Sequence, residues 1–114
     1  MKVVLVNYGH FPEHRTPGAV LDAFPTLTGW ARGLSRAGLT VVAVQGFCAE
    51  GRLRRDNVDY EFVPGAYAPQ LARWRIPRRL LGVVRKHEPD LVHLNGLGYG
   101  VQARALRYVL RPLR

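Results

Sequence analysis

Four runs along the chain are apolar over the length of a strand. KVVLVN (2–7) and LTVVAVQGF (39–47) are β-branched and almost uninterrupted. That is the pattern of parallel strands buried on both faces, and it predicts strands over 2–7 and 39–45. In VDYEFVP (58–64), Val58, Tyr60 and Phe62 alternate with Asp59 and Glu61, and DLVHLN (90–95) completes the set. Strands are expected over 58–63 and 90–95.

The intervening segments carry a helical period or turn chemistry. In FPTLTGWARGLSRAG, Leu27, Trp30, Ala31 and Leu34 fall at i, i+3, i+4 and i+7, one apolar face, with Arg32 and Arg36 on another. Gly38 suits the residue just past the helix end. Residues 69–87 are basic and helical in pattern, with Pro77 fitted to a first helical turn. There Leu80, Leu81 and Val84 can face a sheet while Arg78, Arg79, Arg85 and Lys86 stay in water. GVQARALRYVLR predicts a last helix, whereas YGHFPEHRTPG and GRLRRDN read as loops.

This alternation predicts an α/β, Rossmann-like, doubly wound parallel sheet over residues 1–114 as one domain. With strand order 3-2-1-4, the runs 2–7 and 90–95 are neighbours, and the winding direction reverses between them. Such sheets bind ligands at the carboxyl ends of the strands at that point. Gly9, His10, His93, Asn95 and Gly96 would then converge on one crevice. Each also has a plainer reading. His93 suits a core imidazole bonded to backbone, Asn95-Gly96 is a common turn pair, and loop histidines are usually solvated.

Composition narrows the class. Hydrophobic residues make up 47% and charged residues 22% of 114, ordinary for a globular chain rather than a disordered one. The lone Cys48 excludes an intramolecular disulfide and is expected as a small buried hydrophobe in a reducing, cytoplasmic setting. No secretory signal and no run of about 20 apolar residues appears. His10 and His14 have the spacing of a zinc pair, but Pro12 between them opposes the helix that would align both rings, so no metal is expected. The usual dinucleotide, nucleotide-triphosphate and hydrolase loops are absent; GLGYGV places Val101 where the dinucleotide pattern needs its third glycine.

Together, MKVVLVNYGHFP, FPTLTGWARGLSRAGLTVVAV, VDYEFVP and RLLGVVRKHEPDLVHLNGLGYGVQARAL resemble the amino-terminal domain of family 4 glycosyltransferases of the GT-B fold. The resemblance rests on a helix ending L-x-x-x-G before a strand and on the PDLVHLNGL phrase. It implies hexosyl transfer from a nucleotide-sugar donor to a sugar or lipid-linked acceptor, without a metal or other cofactor. This chain would supply the acceptor side. His93 would line the cleft as the catalytic residue, with Gly9, His10, Asn95 and Gly96 near the donor. Asn95 stands where the family phrase often has a second histidine, and Gly9 and Gly18 replace its adjacent glycines. The family's pair of glutamates eight positions apart is missing, so the chain is expected to be a partial GT-B unit, inactive alone.

Charge adds one more feature. Residues 1–70 hold seven Lys/Arg against six Asp/Glu, a net of +1, while residues 71–114 hold ten against two, a net of +8. Arg104, Arg107 and Arg111 share one helical face, which suggests peripheral contact with an anionic membrane. A solvated face is the plainer reading. A non-catalytic module that binds a phosphorylated ligand or RNA is the competing class.

Overall fold

The structure is a computed structural model that describes residues 1–8, 15–64, 77–95 and 100–109. It is an α/β fold: β1 (Lys2–Asn7), α1 (Pro17–Ala23), α2 (Pro25–Arg36), β2 (Thr40–Phe47), β3 (Gly51–Arg55), β4 (Val58–Pro64), α3 (Arg78–Lys86), β5 (Leu91–Asn95) and α4 (Gly100–Val109). The five strands form one mixed, mostly parallel sheet in the order β3-β4-β2-β1-β5, compatible with a Rossmann-like fold.

β1 pairs in parallel with β2 on one side and with β5 on the other. The expected adjacency of the first and last strands therefore holds. Their register is fixed at the amino end. Lys2 N–H donates to the Asp90 carboxylate at 2.7 Å, Asp90 N–H donates to the Lys2 carbonyl at 2.9 Å, and the Lys2 ammonium reaches the His87 carbonyl at 2.9 Å.

Alternation along the strands sends side chains to two separate cores. Val3, Leu5, Val41, Ala43, Tyr60 and Phe62 pack with Val20 and Leu21 of α1 and Leu27 and Ala31 of α2. Val4, Val6, Tyr8, Val42, Val44 and Val63 pack with Leu80, Leu81 and Val84 of α3 and Leu106 of α4. Helices thus cover both faces, which is why β1 and β2 read as continuous apolar runs.

Four expectations need correction. GRLRRDN is not a loop. Gly51–Arg55 is an antiparallel edge strand, so the sheet is not wholly parallel, and Asp56 and Asn57 form the turn into β4 with φ of 53° and 61°. Two consecutive positive φ values are what a tight hairpin needs, and Asp-Asn tolerates them. The turn-rich segment before residue 24 also ends in a helix. Thr16 Oγ1 accepts from Ala19 N–H at 3.1 Å, and Pro17 begins the first turn. Pro77 is the cap of α3 rather than part of its first turn. Cys48 is exposed, because β2 ends at Phe47 and the chain leaves the sheet there.

The end of α2 conforms to expectation. Leu39 N–H bonds the Leu34 carbonyl and Gly38 N–H bonds the Ser35 carbonyl, with Gly38 at φ 91°. This is the paired closure that a glycine past the last turn allows. Arg78, Arg79, Arg85 and Lys86 are exposed, opposite buried Leu80, Leu81 and Val84, as the period of α3 requires. No described helix is long and apolar enough to cross a membrane.

Candidate functional site

The winding reversal lies between β1 and β5. The connection from β1 to β2 runs through α1 and α2 on one face, and that from β4 to β5 runs through α3 on the other. At the carboxyl ends of these strands Asn7 is in register with Asn95 on one side and with Gln45 on the other. Asn7 Nδ2–H donates to Gln45 Oε1 at 2.6 Å, and Gln45 Nε2–H donates to the Gly46 carbonyl at 2.9 Å. Both side chains are buried, at 5% and 0% exposure. Buried amides are costly unless bonded, so this pair fixes the backbone beside the reversal.

His93 lies two residues in from the end of β5, opposite Leu5 of β1. Strand alternation puts Val92 and Leu94 against the α3–α4 core, and His93 and Leu91 on the α2 side. His93 is exposed, which rules out the reading of a core imidazole. Its ring meets Trp30 of α2, with centroids 6.0 Å apart and planes inclined at 45°.

Trp30 departs from the expected apolar face. Leu27 and Ala31 are buried and Leu34 packs beside them, but Trp30 is 53% exposed. The reason is the placement of α2, whose buried residues pack over β1, β2 and β4, with none of β5 in that core. Trp30 projects from the flank of the helix toward β5. Between them lies a cavity of about 430 Å³ lined by Leu5, Thr26, Leu27, Gly29, Trp30 and His93. Its walls are largely apolar, with the Thr26 hydroxyl and the His93 imidazole as polar groups. A planar or ring-shaped ligand could stack on the indole and bond to the imidazole.

The site therefore contains one expected residue, His93, and two that sequence reasoning assigned elsewhere or passed over, Trp30 and Thr26. The 26, 30 spacing was available as a helical flank, but nothing in the sequence indicated that β5 would lie beneath it. The backbone of Asn95 is where the strand order requires, beside Asn7. Gly9, His10 and Gly96 lie outside the described residues, as do His14 of the proposed zinc spacing and Arg111 of the basic face. Among the described residues no three His, Cys, Asp or Glu side chains gather in a metal-binding arrangement.

Arg104 and Arg107 are exposed on α4, which shares a core with α3. Neither helix contains an acidic residue. Arg79 is paired with Glu50 at 3.0 Å across the surface.

Comparison of the chain with protein-family models, curated proteins and solved structures finds no match among any of the three.

Proposed function

We propose that this chain is the acceptor-side domain of a GT-B glycosyltransferase that moves a hexosyl group from a nucleotide-sugar to a sugar or lipid-linked acceptor. The observation that supports this reading is the open His93–Trp30 cavity beside the winding reversal of β1 and β5. Sheets of this type present ligand sites at that reversal. In this reading the Trp30 ring takes the apolar face of a sugar and the His93 imidazole bonds a hydroxyl near the reacting carbon. The resemblance assigns Gly9, His10, Asn95 and Gly96 to the donor diphosphate, whose departing charge backbone N–H groups would stabilise. The donor is gripped by a second domain, so residues 1–114 alone bind weakly and transfer nothing.

The test is an amide-resonance titration of residues 1–114 with methyl glycosides, UDP-glucose, GDP-mannose and a single-stranded RNA oligonucleotide. A sugar or nucleotide-sugar is expected to move the signals of Trp30, His93 and Asn95, with the effect lost in His93→Ala. A response to RNA alone, confined to α3 and α4, overturns the reading in favour of a non-catalytic phosphate- or RNA-binding module. Sugar transfer by the isolated chain overturns the assignment to one half of an enzyme.

The acid-free pair α3 and α4 supports a second element of this reading, peripheral contact with an anionic membrane through Arg104, Arg107 and Arg111. Arg78, Arg85 and Lys86 of α3 are exposed as well and add to the positive charge of this helix pair. Each cation contributes about 1 kcal/mol near such a surface. Co-sedimentation with phosphatidylglycerol vesicles, absent with phosphatidylcholine vesicles and reversed by salt, is the expected result. Equal binding to both vesicle types refutes it.

A further inference from the structure

The spacing of the two rings at the His93–Trp30 cavity restricts how a ligand can lie there. The indole and imidazole centroids are 6.0 Å apart, with planes inclined at 45°. A third ring between two others needs about 3.5 Å on each side, roughly 7 Å in all. A ligand ring therefore stacks on one of the two and meets the other at its edge. The indole has the larger face and is 53% exposed. The imidazole is then left to bond a substituent on the ligand's rim.

Gly29 gives the ligand room. Inside a helix glycine is less favourable than alanine, and it is needed where φ is positive or a neighbour comes too close for a side chain. Neither holds here: φ lies outside the left-handed region, and an added Cβ would meet nothing within 4 Å among the described residues. Thr26, Gly29 and Trp30 fall at i, i+3 and i+4 on one flank of α2, and all three line the cavity. The missing side chain keeps the wall beside the indole open.

The lining discriminates between ligand classes. Among the described residues, Thr26 and His93 are its polar side chains, set against Leu5, Leu27 and Trp30. A hexose or a nucleobase brings more donors and acceptors than these two can match, and each one left buried and unpaired is costly. An alkyl chain leaves both polar groups unmatched and gains nothing from a flat indole. A planar aromatic ring with one hydroxyl matches the indole face, the apolar walls and the imidazole together. The volume of about 430 Å³ lies within the range of about 300–1,000 Å³ usual for small-molecule sites.

We infer that the cavity is a subsite for a flat aromatic ring carrying one hydroxyl group, which stacks on the Trp30 indole and bonds the His93 imidazole, with a sugar ring as the weaker occupant. The inference rests on the sugar-transfer reading only in making this ring part of an aryl-bearing acceptor. The ring selectivity itself requires no transfer.

The probes are 2-naphthol, 2-decalol and methyl glucoside, titrated into residues 1–114 while the Trp30 indole and His93 imidazole resonances are followed by NMR. 2-Decalol has the carbon skeleton and hydroxyl of 2-naphthol but is not flat. 2-Naphthol is expected to move both sets of signals and to bind about three- to tenfold tighter than 2-decalol, and tighter than methyl glucoside. His93→Ala should weaken 2-naphthol by about three- to tenfold, the effect of one hydrogen bond. Gly29→Leu should fill the cavity and abolish the response, while its urea midpoint rises because leucine is the better helix former. If Gly29→Leu does not fold, Gly29→Ala should weaken binding at a raised midpoint. Equal affinity for 2-naphthol and 2-decalol, or binding that Gly29→Leu leaves unchanged, overturns the inference. Tighter binding of methyl glucoside overturns it too, and leaves the sugar-transfer reading standing. Selective 2-naphthol binding in a chain that never responds to a nucleotide-sugar supports the subsite and counts against sugar transfer alone.

Discussion

Replacing His93 with alanine should leave the fold nearly as stable as before. The imidazole is exposed, so little apolar surface returns to water, and its ring contact among the described residues is with Trp30 at 6.0 Å. An aromatic pair contributes about 0.5–1.5 kcal/mol, and a half-exposed, tilted pair belongs at the low end, about 0.5 kcal/mol. With an unfolding entropy near 2.1 cal/mol/K per residue, 114 residues give roughly 0.24 kcal/mol/K, so the melting temperature should fall by about 2 °C. Leu80→Ala is the control. Leu80 is 0% exposed between α3 and the sheet, and its truncation should cost about 2–5 kcal/mol, or roughly 8–20 °C. The assay is urea and thermal unfolding of both variants followed by far-ultraviolet circular dichroism. A double-mutant cycle with Trp30→Ala should return a coupling of about 0.5 kcal/mol. If His93→Ala cost about 2 kcal/mol or more, the imidazole would be part of the core, and its assignment to the cavity would fail.

Gly38→Ala should destabilise by about 1–2 kcal/mol, read as a lower urea midpoint at unchanged slope, because φ is 91° and no neighbour lies within 4 Å of the added methyl. Glu88→Gly should stabilise by about 0.5–1 kcal/mol, read as a higher urea midpoint, since Glu88 follows the His87 cap of α3 at φ 49° and glycine removes that strain while adding some unfolded-chain entropy. Burial, helped by the nearby Asp56 charge, holds the Tyr60 phenol above the usual tyrosine value of 10.0, against the opposing effect of Arg55 and Arg32. The folded state then keeps that proton when the unfolded chain has lost it. Stability from this group is therefore complete below about pH 10 and is lost as pH rises toward the folded value. Unfolding of wild type and Tyr60→Phe from pH 9 to 11 should show a steeper alkaline decline in the wild type, and parallel curves would contradict this.

Much of the fold was legible because strand burial on two faces leaves a one-dimensional signature. β1 and β2 are near-continuous apolar runs, β4 alternates, and α3 shows Leu80, Leu81 and Val84 opposite four cations. β3 escaped notice because three of its five residues are arginine, a composition that suits an edge strand but reads locally as a loop. The Asp56-Asn57 pair was its signal, since few residues accept two consecutive positive φ values. α1 was likewise masked by turn residues, although Thr16-Pro17 marks a helix start.

The sequence by itself determined β1, β2, β4, β5, α2, α3 and α4, the adjacency of β1 and β5 as an expectation from their order, and the outward face of α3. Tertiary structure alone decided that Trp30 leaves the apolar face of its helix. That depends on where α2 ends up over the sheet, and helical period contains no information about the neighbouring strand. It also decided that His93 lies opposite Leu5 and opens toward α2. Local sequence constrains which face a side chain can occupy, because backbone geometry is local. What covers that face depends on contacts between residues distant in the chain: Val92 and Leu94 meet the α3–α4 core, and His93 meets Trp30 of α2.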